Sequence, residues 1–203
     1  MMKISPVYLL INLFILPSFI CTGDRESKVF TRAASVLASK TNEGAFKKHS
    51  WLNESNTRKT ERCTIELESS SIEYSVIQNK GKKQCAGYIH FLSVDKNERG
   101  KGYGGALLLK AFFDIYDSCS ASGLKKLDVS WGVIPFDGNR MSTPELKSWY
   151  SSFGAESDKD TIDRMKIPLN KIDIIKENLY GNSVTIKVSP QSSRRERPAK
   201  KRD

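Results

Sequence analysis

The sequence predicts one domain of the mixed α/β, or α+β, class: a single, mainly antiparallel sheet flanked by helices. Three observations carry this. Segments rich in β-formers crowd the first half, at residues 63–67, 72–77 and 84–94. A helical period replaces them from Ala106 to Tyr116. Strand and helix patterns then alternate toward the C-terminus, which leads a sheet back against its helices. Length agrees, because 203 residues split into two cores would leave each little more than ~100. With 38% hydrophobic and 28% charged residues, 13 Gly, 7 Pro and 4 Cys, the chain is neither collagen-like nor low-complexity, and it is not a disulfide scaffold.

The elements follow in order. Residues 1–23 read as a secretory signal peptide: Lys3, then the uncharged apolar run 7–16, then Pro17 and small residues. Cleavage after Gly23 places Cys21 and Gly23 where a signal peptidase needs small side chains. The alternative is a membrane anchor at residues 7–21, but that stretch holds a proline and is shorter than the ~20 residues a spanning helix needs. A lipidated Cys21 is the weaker third reading, since Ile20 stands where a small residue belongs.

Residues 24–61 form an N-terminal helix and loop. Val29, Phe30, Ala33, Val36 and Leu37 recur at helical spacing over residues 27–40, and the polar stretch up to Arg62 reads as loop, with Trp51 and Leu52 anchoring it to the body. Residues 62–188 form the main domain. Its first three strands make an antiparallel meander, turning at Ser69-Ser70-Ser71 and at Asn79-Lys80-Gly81. A helix from Ala106 ends near Gly123, and a strand at 126–131 follows. After a loop holding Pro135, Asp137, Gly138 and Asn139, Thr143-Pro144-Glu145 supplies a hydroxyl cap, an early proline and a first-turn acid for a helix ending at Gly154. Strands at 165–169 and 183–188 enclose a helix at 172–180.

Residues 189–203 have no apolar residue beyond Ala199 and read as a disordered basic tail. The full chain carries +10; without residues 1–23 it has 32 Lys plus Arg against 23 acids, a net +9, of which the last ten residues contribute +4. Such a tail suits nucleic acid or an anionic membrane, or simply keeps the chain soluble. Three cysteines remain after cleavage, Cys63, Cys85 and Cys119, none at metal-ligand spacing, so no metal site is expected and one thiol is left unpaired. Asn53-Glu54-Ser55 is a glycosylation triplet.

The chemistry concentrates between the third strand and its helix. Gly100, Gly102, Gly104 and Gly105 permit positive φ and close backbone approach, while the helix behind them presents free N–H groups and the positive end of its dipole. Such a turn cradles a pyrophosphate, and Arg99 and Lys101 add charge-assisted contacts. No Gly-Lys-Ser/Thr follows, so it is no P-loop, and the third glycine of a dinucleotide fingerprint is missing.

The segment from Tyr88 to Gly105, with Leu92-x-Val94 followed by Arg99-x-x-Gly102-x-Gly104, resembles the acyl-CoA-binding motif of the GNAT acyltransferase superfamily. Trp149-Tyr150 followed by Gly154 is similar to that superfamily's second signature, in the right order, and the resemblance covers roughly residues 62–169. It implies N-acyl transfer from acetyl-CoA to an amine by direct attack in a ternary complex. It also implies a donor site built from the backbones of Leu92, Ser93 and Val94, from Arg99, and from Gly100, Lys101, Gly102, Tyr103, Gly104 and Gly105. Tyr150 falls at the place of the acid that protonates the thiolate.

His90 falls where arylalkylamine acetyltransferases carry one of two histidines that deprotonate the amine, with Tyr88 at the other. Period-2 alternation sets Tyr88, His90, Leu92 and Val94 on one face. A structural histidine, or water relayed to Glu66 or Glu73, is the alternative. Trp131 and Phe136, beside the long 132–141 loop, are expected as acceptor contacts at a lip. Thr143 departs from the pattern, standing where an Asn is usual, and no convincing first strand is visible. The acceptor is an amine on a small molecule or a protein lysine. An inactive acyl-CoA-binding fold, or a protein acting through its basic tail, is the rival reading.

Overall fold

The computed structural model describes residues 24–134 and 141–181. The expected leader, Phe136, the 183–188 strand and the basic tail all lie outside the described residues. The described chain opens with helix α1 (Asp24–Asn42) and continues through strands β1 (Lys47–Glu54), β2 (Arg58–Leu67), β3 (Ser70–Asn79) and β4 (Gln84–Ser93). Then come α2 (Tyr103–Ala121), β5 (Lys125–Gly132), α3 (Thr143–Ser151), β6 (Glu156–Ser157), β7 (Arg164–Pro168) and α4 (Leu169–Lys176), and the last described element is a wide π-turn at Glu177–Gly181. The strands form one seven-stranded sheet, β1-β2-β3-β4-β5-β7-β6. Among the described strands only β4 and β5 run parallel, with α2 as their crossover. This is the mixed, mainly antiparallel α+β sheet the sequence predicts.

The first strand corrects the sequence reading. Residues 47–54 are not loop but an edge strand paired along its whole length with β2, so the meander has four strands rather than three. All eight β1 residues are exposed, which removes the alternation that would betray a strand. Trp51 and Leu52, expected to anchor the segment to the body, are each 59% exposed.

The core lies where α2 covers the sheet. Cys63, Ile65, Ile72, Tyr74, Val76 and Ile89 are buried on that face. Gly87 lets α2 approach, since a Cβ there would come 2.7 Å from a methyl of Ile115. Cys85 at the start of β4 is bonded to Cys119 near the end of α2, while Cys63 stays reduced and buried. A polar knot lies beside the core: Asp114 on α2 accepts from Tyr74 Oη at 3.0 Å and pairs with Lys110 at 2.7 Å and Lys48 at 3.2 Å. Burial opposes the Asp114 charge, but the Lys110 hydrogen bond and the two lysine charges outweigh it and hold its carboxyl below the usual range.

Helix α1 is not a separate appendage. Ala33 sits where a Cβ on Gly105 would be only 2.5 Å away, and the Phe30 and Phe153 rings meet at 6.1 Å. Helices α1, α2 and α3 thereby converge at the start of α2. The cap of α3 is Ser142, one residue earlier than expected: its N–H and its hydroxyl both donate to Glu145, each at 2.8 Å. The short edge strand β6 had no counterpart in the sequence reading.

Candidate active site

The site begins where two paired strands part. The parallel ladder between β4 and β5 ends at Ile89↔Trp131, whereas β4 runs on to Ser93 paired with β3. Past Ile89, β5 has parted from β4, and among the described strands none replaces it beside Leu92 and Ser93. Leu92, Ser93 and Val94 line one wall of a cleft of about 660 Å³.

One end of the cleft is the glycine turn. Asp95 nucleates it, accepting from Asn97 N at 2.8 Å through Oδ1 and from Glu98 N at 3.0 Å through its carbonyl. Gly100 and Gly102 then take φ of +74° and +99°, in the left-handed region that favours glycine. Gly102 caps α2 with its carbonyl, which accepts from Ala106 N at 2.9 Å. The first-turn amides of α2 at Tyr103, Gly104 and Gly105 have no intrahelical acceptor, so they form a donor array at the positive end of the helix. Arg99 folds back, its Nε donating to Val94 O at 3.2 Å, and lines the same cleft. A Cβ on Gly104 would come 2.9 Å from a Val94 methyl, so a side chain there would fill the cradle.

The Tyr103 side chain turns away from the cleft, its Oη donating to Glu68 at 3.1 Å, which leaves its expected contact to its backbone amide. Lys101, expected as a charged contact, lies 3.8 Å from Glu98 and does not line the cleft. One contributor had no signal in the sequence: Arg32 of α1 lines the cleft and donates from Nη1 to Gly100 O at 2.5 Å.

Tyr150 stands in the opposite wall, on α3, its ring 5.1 Å from Trp131 and 4.9 Å from Trp149. Burial among these rings pushes its phenol up to about 12, so it is neutral and holds its proton at physiological pH. Trp131 does line the cleft, though as a 1% exposed residue of β5 rather than at a lip, packed against Phe112 at 5.7 Å, with its indole Nε1 buried and without a hydrogen-bond partner among the described residues.

His90 also departs from the expected geometry. Tyr74 pairs with Ile89 and Glu73 with Phe91, so His90 is the extra residue of a β-bulge. The bulge breaks the alternation: Leu92, opposite Ile72, joins the α2 face, while Tyr88, opposite Ser75, lies on the other. His90 stays with Tyr88, the rings 4.9 Å apart, and its Nε2 shares a 2.7 Å hydrogen bond with Ser75 Oγ. Partial burial, then the Arg62 charge, lower its pKa, with Glu73 acting the other way. Both His90 and Tyr88 line the cleft, at the sheet face away from α2. Glu73 is held by Arg62, and Glu66 lies outside the cleft lining. Among the described residues no three His, Cys, Asp or Glu side chains gather at metal-binding range.

No protein-family profile matches the sequence, and no curated protein matches it at a significant level. Solved structures of similar shape include the KacTA–DNA complex, at 11% identity and a TM-score of 0.42 over 62% of this chain and 76% of that one. The AtaT–AtaR complex bound to DNA matches at 11% identity and a TM-score of 0.42, covering 79% of this chain and 91% of that one. AtaT complexed with acetyl-methionyl-tRNAfMet matches at 11% and 0.42, over 77% and 88%. At so low an identity, the chemistry of the site must come from this chain's own residues.

Proposed function

We propose that this protein is a GNAT-type N-acetyltransferase that uses acetyl-CoA and acts on an amine by direct attack in a ternary complex. One observation carries the reading: a single cleft joins the glycine turn, the β4 edge left by β5, the Tyr150 phenol and His90. Acetyl-CoA supplies an acyl group activated as a thioester. The residues fit such a donor, since the Gly104 cradle has no Cβ to fill it and the amides at the start of α2 suit a pyrophosphate. Leu92 and Ser93, past the end of the β5 ladder, offer extended backbone to a pantetheine arm. Tyr150, neutral, half-buried and lining the same cleft, is a proton source for a leaving thiolate. His90, its pKa lowered, is neutral at physiological pH and able to accept the proton an amine loses.

The acceptor is an amine on a small molecule or on a protein lysine. We also infer export. The apolar run behind Lys3 supports it, and so does the Cys85–Cys119 bond, which persists in oxidising compartments. The tail at 189–203 offers nucleic acid or an anionic membrane a charged handle. The test is to incubate purified residues 24–203 with acetyl-CoA and a panel of amines, reading products by mass spectrometry and free CoA thiol by colorimetry. An acetylated amine with matching thiol release is expected. Donor binding with no transfer to any amine would favour the inactive, binding-only fold.

A further inference from the structure

We propose that Arg32, on the N-terminal helix outside both sequence motifs, binds a phosphate of the donor's nucleotide end and sets the preference for a nucleotide-bearing donor. This rests on the acetyl-CoA reading above. Arg32 belongs to α1, which the sequence assigns to a region separate from the main domain, yet α1 is clamped onto the glycine turn. A Cβ at Gly102 would fall 2.9 Å from both Arg32 Cγ and Arg32 O, so only glycine lets the helix lie this close. At the other end of α1, Lys40 pairs with Glu68 at 2.9 Å, and Glu68 accepts from Tyr103 Oη at 3.1 Å. The helix is therefore tied to both sides of the turn.

The Arg32 guanidinium uses Nη1 on the Gly100 carbonyl at 2.5 Å. A guanidinium has five N–H donors in a planar fork, so one bond to a carbonyl leaves most of them for a second acceptor. Arg32 is exposed and lines the cleft beside Gly100, Gly102 and Arg99, so those donors are open to a ligand held there. The acid in the same wall, Glu98, lies 3.8 Å from Lys101 Nζ. Two guanidinium groups thus accompany an array of helix-terminal amides, an arrangement matched to phosphate oxygens and far richer than a neutral pantetheine needs. Holding the Gly100 carbonyl also turns that dipole's negative end toward Arg32.

The experiment compares Arg32→Ala and Arg32→Lys with the parent chain by calorimetry, using acetyl-CoA, acetyl-dephospho-CoA and S-acetylpantetheine. Arg32→Ala is expected to weaken acetyl-CoA by about tenfold or more, the size of a lost charge-assisted contact, and to leave S-acetylpantetheine unchanged. Arg32→Lys, a point charge without the fork, should recover part of the loss. If acetyl-dephospho-CoA loses the same factor, the pyrophosphate is the ligand. If it loses nothing, the ligand is the 3′-phosphate. Unchanged acetyl-CoA affinity, or equal weakening of all three ligands, would overturn the assignment; equal weakening would leave Arg32 a brace for the turn. Circular dichroism and melting of each variant guard against misfolding. A parent chain that binds none of the three would instead sink the acetyltransferase reading itself.

Discussion

Strand β4 is held on both sides over its first half and on one side over its second. From Gln84 to Ile89 it pairs with β3 and with β5, its buried residues press against α2, and Cys85 is covalently fixed to that helix. From His90 to Ser93 its strand partner among the described residues is β3, through a bulge, and it looks into the cleft. Both halves are extended backbone with similar residue types. The comparison teaches that this site owes more to an interrupted ladder than to special side chains. Where β5 leaves, β4 turns Leu92 and Ser93 toward the proposed donor site, and the fully held half keeps them in place.

That division is testable from the held half first, where the largest effect is expected. Replacing Cys85 and Cys119 together by Ala removes a bond that closes a span of 34 residues. The loop-entropy relation puts the loss at about 3 to 4 kcal/mol. Urea unfolding followed by circular dichroism should show that loss, with acetyl-CoA affinity nearly unchanged in the folded protein. A fall in affinity without a fall in stability would mean that the two halves of β4 are not separable.

The second effect belongs to the cleft. Tyr150→Phe removes one oxygen and keeps the ring packed on Trp131 and Trp149. The expected result is a kcat about 100-fold lower, within the range for a positioned general acid, at unchanged donor affinity and melting temperature. Single-turnover rates equal to the parent's would return Tyr150 to a packing role.

Third, Gly87→Ala should cost about 1 to 3 kcal/mol by overpacking, because its Cβ would sit 2.7 Å from Ile115 and 3.0 Å from Val129 methyl carbons. Thermal unfolding measures this, and a neutral result would show that α2 stands off the held half of β4 more easily than the geometry says.

What could be read from the sequence follows the same physics. The glycine turn and the Trp149-Tyr150 pair were legible because positive φ and close approach demand glycine, and because their order along the chain is itself a signal. Strand β1 was not, since an edge strand with every residue exposed has no buried face to impose a period. The bulge at His90 was not legible either. It adds one residue without a Gly or Pro to mark it, yet it reverses the face of everything after it. Arg32 was hidden for a third reason: on an amphipathic helix an exposed cation reads as solvated surface, and the turn it serves lies 68 residues away.

The smallest effect concerns the bulge. His90 has its pKa lowered first by partial burial and then by the Arg62 charge, while Glu73 opposes both. Arg62 is itself bound to Glu73, so Arg62→Gln removes the cation and also frees the carboxylate next to His90. Both changes favour the imidazolium, and the His90 pKa should rise toward its ordinary value of 6.5. If the neutral imidazole takes the amine proton, activity falls as pH drops through that pKa, so the acid limb of the rate profile should move to higher pH in Arg62→Gln. The amine's own ionisation contributes a limb common to every variant, which leaves the difference between profiles to report His90. In His90→Gln the difference should vanish, with a lower plateau and only the amine's limb remaining. Profiles of parent and Arg62→Gln that superimpose, with His90→Gln fully active, would make the bulge a shaping device alone and pass the proton to water.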